Sequence, residues 1–351
     1  MIDILSEEQM LALVGLLGGL ALGLAARLGR FCTLGAIEDA LYAGDGTRVR
    51  MWGVAIGIAM LGSFGLIGAG ALDVSRTIYL GIGFQPAASA IGGLLFGYGM
   101  ALAGNCGYGA LARLGGGDLR ALMIVLVMGL AAYATIAGPL AYLRVAVFPP
   151  APADGVTPGL AHALAGLLGT SPVWIGLAAG LVILMVSLWS RGVWARRVSI
   201  CWGIVVGAAI ISGWAGTQWV ADVGFSAAPV VSYTFAAPLG ETMLYGMTAS
   251  ARTLSFGIGS VAGVVIGAFL GCVIKRQFRW EACEDPRELR RQLAGATLMG
   301  IGAVLAMGCS IGQGLSAISL LAYSAPVVMA GIFAGAWLGL RQLITGFREV
   351  V

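Results

Sequence analysis

"GVAIGIAMLGSFGLIGAGAL" (53–72) runs the width of a membrane without a charged side chain. A bilayer core of about 30 Å is crossed by about 20 apolar residues in helical form, so this stretch reads as a transmembrane helix. "ALMIVLVMGLAAYATIAGPLAYL" (121–143) reads the same way, and comparable runs recur along all 351 residues. Length alone would allow two or three soluble domains. Composition excludes them: 59% of residues are hydrophobic and only 10% charged, against about a quarter in soluble chains. The expected fold is an all-α polytopic membrane protein, one transmembrane domain over 1–351 embedded in a lipid bilayer.

About nine spans are expected, near 9–29, 51–72, 87–104, 120–143, 172–190, 198–218, 254–274, 292–308 and 325–345. Cations concentrate in cytoplasmic loops. With the N-terminus outside, the inner loops collect Arg27, Arg30, Arg48, Arg50, Arg113, Arg120, Arg191, Arg196, Arg197, Lys275, Arg276, Arg279, Arg287, Arg290, Arg291, Arg341 and Arg348. Only Arg76, Arg144 and Arg252 fall outside. The opposite orientation inverts this distribution, so the expectation is N-terminus out and C-terminus in. The acidic start "MIDILSEEQM" lacks the basic region of a signal peptide, so the first span is expected to be retained. A net charge of +4 carried on short loops is no nucleic-acid signature.

Four segments are too short or too glycine-broken to be spans: "CTLGAIEDALYAG" (32–44), "CGYGALARLGGG" (106–117), "GLAHALAGLLG" (159–169) and "CSIGQGLSAISLL" (309–321). They read as half-helices or re-entrant turns, which membranes tolerate where protein buries them or they line a polar path. Two of them correspond. In "GYGMALAGNCGYGA" (97–110) and "GIGAVLAMGCSIGQ" (300–313), Gly97, Gly99, Ala103, Cys106 and Gly109 match Gly300, Gly302, Ala306, Cys309 and Gly312. The offset is 203 residues throughout. With an odd linking span (about 159–190) between repeat 1 (about 9–143) and repeat 2 (about 198–345), the repeat would be inverted, and such paired broken helices point to a transport site.

A third cysteine, Cys32, begins another short segment after "AARLGRF". The trio "GRFC" (29–32), "GNCGYGALARLGGGD" (104–118) and "MGCSIGQGLS" (307–316) resembles the three cysteine motifs of the YeeE/YedE-type membrane proteins, the bacterial thiosulfate importers. The likeness extends over essentially the whole chain, including the basic "KRQFRW" (275–280) loop. It implies an hourglass-like fold in the bacterial inner membrane, thiosulfate as substrate, and a relay of Cys32, Cys106 and Cys309, with Cys106 near the first outward contact. It further implies a TusA-like sulfur carrier as a cytoplasmic partner, which in relatives is either a separate protein or a fused domain.

The residues suit that chemistry. Thiosulfate has hard oxygens at one end and a soft sulfur at the other. A neutral thiol offers a weak donor and a polarisable surface, and weak successive contacts favour conduction. Helix starts beyond Cys106 and Cys309 would aim N–H groups at the anion. Gly107, Gly109 and Gly312 would allow close backbone approach, and Asn105, Ser310 and Gln313 would add donors. Arg113 reads equally as a source of positive potential or as an inner-face anchor. Import of a dianion against an inside-negative potential costs about 4.6 kcal/mol at 100 mV, so Glu38, Asp39 and Glu241 are candidates for proton coupling.

Other readings stay open: the same fold moving another sulfur or selenium species, an ATP-driven permease, or a membrane thiol-disulfide oxidoreductase pairing Cys106 with Cys309, which needs Cα atoms within about 7 Å. Cys201 and Cys272 read as packing residues, Cys283 as an incidental loop cysteine, and His162 as a packing residue. No cofactor or metal motif is present in the sequence, and no enzymatic activity is expected.

Overall fold

The computed structural model describes residues 6–149, 157–189, 196–224, 228–282 and 285–346. Helix α1 (Glu7–Leu28) starts at a capping box, the Ser6 hydroxyl accepting from Gln9 N while the Gln9 side chain returns to Ser6 N. There follow α2 (Thr33–Glu38), continued by a π-turn (Asp39–Ala43), α3 (Thr47–Gly68), α4 (Ile78–Gly81), α5 (Pro86–Ala103), α6 (Gly107–Leu114), α7 (Leu119–Ile136) and α8 (Pro139–Val147). The second half holds α9 (Leu160–Leu168), α10 (Pro172–Leu188), α11 (Arg197–Val223), α12 (Ala237–Thr248), α13 (Phe256–Lys275), α14 (Pro286–Leu305), a π and 3-10 segment over 310–320, and α15 (Ser324–Thr345). Extended pairing among the described residues is limited to isolated bridges.

Each expected span coincides with a helix, but the spans are unequal. Seven helical stretches among the described residues are long and apolar enough to cross a bilayer alone, and α9 with α10, bent by 118°, forms an eighth candidate. The ninth, α14, opens with Arg287, Glu288, Arg290 and Arg291, so only its second part is apolar. The fourth span ends at Ile136 rather than near 143, because Gly138 and Pro139 break the helix and Pro139 starts α8. All four expected short segments are present.

Small residues set the packing, as in membrane helices generally. Along α1, a Cβ on Gly15, Gly19 or Gly23 would strike the carbonyl of Phe256, Ser260 or Val264 on α13; Gly259, Gly263 and Gly267 meet Ala12, Leu16 and Leu20 in return. At the middle of the molecule α5 crosses α14 with no side chain between the backbones. A Cβ on Gly99 would lie 2.5 Å from Gly295 O, and one on Gly92 would lie 2.7 Å from Gly302 O.

The two ends of the bundle differ in charge. At one end Lys275 Nζ donates to Arg27 O (3.0 Å), Arg48 pairs with Asp39 (3.1 Å), and Arg196 pairs with Asp45 (2.7 Å). There too, Leu119 N donates to Glu281 O, while Arg279 N and Glu281 N donate to Gly116 O and Gly117 O. These bonds fasten the 276–282 loop to the end of α6. At the opposite end lie the Arg76–Asp222 pair (3.2 Å) and the Arg252 bond to Tyr133 OH (3.3 Å).

Candidate functional site

A helix leaves its first N–H groups unpaired, and Ser, Thr, Asp or Asn normally caps them. Cysteine takes that place three times. Cys32 precedes α2 in extended conformation. Cys106 precedes α6, its Sγ accepting from Gly109 N (3.4 Å). Cys309 precedes 310–320, its Sγ accepting from Gly312 N (3.5 Å). Cys106 and Cys309 are fully buried and Cys32 is partly so. Cys32 and Cys309 both lie within electrostatic reach of Cys106, so the fold gathers the three thiols.

The two buried thiols head segments that diverge. From Cys106, α6 runs toward the arginine-rich end, where Arg113 pairs with Asp118 (3.0 Å). From Cys309, the 310–320 segment runs toward the opposite end, where Leu160 N donates to Leu321 O (2.8 Å). An extended stretch, "APVVSYTFA" (228–236), passes between them. Its Phe235 N donates to Cys309 Sγ (3.3 Å), and Thr234 Oγ1 lies 3.8 Å from the same sulfur. The Phe235 ring packs on Tyr108 of α6 (centroids 5.4 Å apart), and Tyr108 OH donates to Leu22 O of α1 (2.6 Å).

Beside each thiol in sequence sits a buried polar side chain without a satisfied hydrogen bond. These are Thr33 Oγ1, both amide atoms of Asn105, and Ser310 Oγ. Ser310 lies toward the Cys106 thiol without conventional hydrogen-bond geometry. Orphaned buried polar atoms are costly and rare; others occur at Trp52, Ser63, Arg144, His162, Arg291 and Gln292, but each of the three thiols has one as its sequence neighbour.

The remaining predicted residues are distributed unevenly. Gln313 is buried but fully engaged, Nε2 donating to Ala306 O (2.6 Å) and Oε1 accepting from Ser324 Oγ (3.1 Å). Gly107 packs against Met128 Sδ; Gly109 lies beside the Asn105 and Cys106 side chains; Gly312 lets Thr234 and Tyr79 approach the Cys309 loop. Asp39 is held by Arg48, Glu38 is half-buried beside that pair, and Glu241 lies elsewhere, accepting from Ser255 Oγ (3.1 Å). Cys201 is exposed. Cys272 is more than packing, since Arg27 Nε donates to its sulfur (2.7 Å). His162 Nδ1 is buried without a partner. Cys283 lies outside the described residues. Among the described residues no cluster of His, Cys, Asp or Glu could hold a metal ion.

Sequence reading missed Thr234, Phe235 and Tyr79. The signal was available: "APVVSYTFAAPLG" (228–240) is a connection without a charge, whereas ordinary surface loops are polar.

At the end opposite the arginine-rich loops, a cavity of about 740 Å³ is bounded by Glu8, Tyr79, Arg144, Thr234, Glu241 and Gly308. It therefore reaches the loop that carries Cys309. A multi-pass membrane bundle with a vestibule over buried thiols at interrupted helices fits a transporter. Residues 27–338 match the model of the sulphur transport family, and the chain belongs to that family. The thiosulfate transporter TsuA of Escherichia coli (strain K12) is 26% identical, covering 93% of this chain and 92% of that protein. The thiosulfate transporter TsuA of Spirochaeta thermophila is also 26% identical, over 92% of this chain and 96% of that one.

Proposed function

We propose that this protein carries thiosulfate inward across the bacterial inner membrane, through a central path on which the thiols of Cys32, Cys106 and Cys309 contact the substrate. The observation that carries the reading is the pairing of each thiol with a neighbouring buried polar group that lacks a partner: Thr33, Asn105 and Ser310. An anion with one soft sulfur and several oxygens satisfies both halves of each pair, the thiol holding the sulfur and the orphaned donors the oxygens. Both TsuA relatives carry thiosulfate in their names, which supports this choice of substrate. Arg113, tied to Asp118, contributes potential at the inner mouth rather than a direct contact.

An N-terminus outside follows from the positive-inside rule, and the arginine-rich end of the bundle supports it; inward direction rests on the resemblance to the thiosulfate importers. The inverted repeat is supported by the central crossing. Under the 203-residue offset, the Gly99–Gly295 contact becomes Gly302–Gly92, the second contact observed there. Glu38, half-buried near Arg48, is the candidate for proton coupling, and a TusA-like carrier is the proposed acceptor inside.

Uptake of radiolabelled thiosulfate by cells lacking other importers tests the reading. Wild type should accumulate label, and the Cys32→Ala, Cys106→Ala and Cys309→Ala variants should each lose most of it. Full activity in the triple variant would overturn the relay.

A further inference from the structure

Arg144 lies on α8, at the vestibule end of the molecule. Its Nε is buried without a hydrogen-bond partner, and none of the ion pairs among the described residues includes it. It is the only cation among the described residues that line the vestibule. The other charged groups there, Glu8 and Glu241, are carboxylates, and Glu241 already accepts from Ser255. A dianion entering this vestibule is repelled by its acidic lining and attracted at one point.

We propose that Arg144 is the capture site for the incoming sulfur oxyanion, taking its oxygen end before the thiols take its sulfur end. This rests on the transport reading above. A guanidinium presents a planar fork of donors that matches two oxygens of a tetrahedral anion, and partial burial limits screening by salt. Bound this way, thiosulfate keeps its soft sulfur free. The same cavity is bordered by Thr234 and Gly308, which flank the Cys309 thiol, so the free end has a thiol ahead of it.

Two readouts test this. In the first, thiosulfate uptake is measured against external concentration for wild type, Arg144→Ala and Arg144→Lys. The alanine variant should raise the half-saturating concentration about tenfold, with the rate at saturation falling less than threefold; lysine should recover part of the loss because it restores charge without the fork. In the second, Thr253→Cys places a thiol on the exposed vestibule wall. The ratio of its labelling rates by an anionic and a neutral methanethiosulfonate reagent should fall at least threefold when Arg144→Ala is added. An unmoved half-saturation or an unmoved labelling ratio overturns the proposal. If wild type takes up no thiosulfate, the substrate reading fails on its own, and the labelling ratio alone then decides for or against anion capture at Arg144.

Discussion

The Cys106 and Cys309 loops begin from matching sequence and end as unequal sites. Cys309 Sγ is approached by Phe235 N, Gly312 N and the Thr234 hydroxyl, whereas Cys106 Sγ accepts from Gly109 N and has the Ser310 hydroxyl toward it. Beyond Cys309 the chain tightens and widens through π and 3-10 turns, with Ser316 bonded to Tyr233 O and Ser319 accepting from Trp214. Beyond Cys106 it is plain α-helix, preceded by an asparagine whose amide has no partner. The Cys309 thiol is held by more protein donors than the Cys106 thiol, while each loop keeps one orphaned polar side chain, Ser310 and Asn105. Two copies of one motif thus present unequal surroundings to the same thiol.

The hardest test of that contrast is at the thiols. Cys106→Ala should cut thiosulfate uptake at least twentyfold at matched expression. Cys309→Ser should retain several times more activity than Cys106→Ser, because a hydroxyl can serve the donors around Cys309 but cannot replace softness at Cys106. Equal activities for the two serine variants would erase the distinction.

Next come the neighbouring amides. Asn105→Ala should lower uptake about tenfold with little change in thermal unfolding in detergent, since it removes no hydrogen bond. Gln313→Ala should do the reverse, costing roughly 2 kcal/mol of stability for two lost bonds and lowering the unfolding temperature. A stability loss in the Asn105 variant would show that its amide is structural.

The central crossing offers a smaller, symmetrical test. Gly99→Ala and Gly302→Ala each push a methyl into backbone, toward Gly295 O and Phe96 N respectively, and overpacking of this kind costs about 1–3 kcal/mol. Matching losses in unfolding temperature would support the inverted repeat, and unequal ones would count against it.

The weakest effect belongs to the periphery. Hydrogen bonds from Thr47 and Arg196 hold the Asp45 carboxylate down to about 2. A lowered folded value means that its stabilisation is present above the ordinary carboxylate range and is lost as pH falls toward 2. The group is exposed, so the contribution stays below about 1 kcal/mol. The gap in unfolding temperature between wild type and Asp45→Asn should be widest near neutral pH and should narrow progressively below about pH 4.

Hydrophobic length and broken segments made the helical membrane fold and its half-helices readable, because both depend on local composition. The thiols at helix starts were readable for the same reason, since Cys followed by small residues marks each break. Gln313 was expected to serve the anion and instead ties α15 to the end of α14, a long-range pairing that no local pattern encodes. The 228–236 stretch escaped notice because extended backbone at membrane depth has no periodicity to betray it; only its missing charges did. Arg144 stood out merely as one cation on the poorer side, and its vestibule exists only once α1, α8, α12 and α13 are assembled.

The interlocked glycines of α1 and α13 carry a mechanical consequence. Backbones in contact over several turns behave like meshed teeth: neither helix can slide or tilt without riding over the other's carbonyls. A large rocking of one half of the bundle against the other would have to strip that gearing. The gearing thus ties the first half of the chain to the second along α1 and α13, and the short breaks at 104–106 and 306–309 lie outside it.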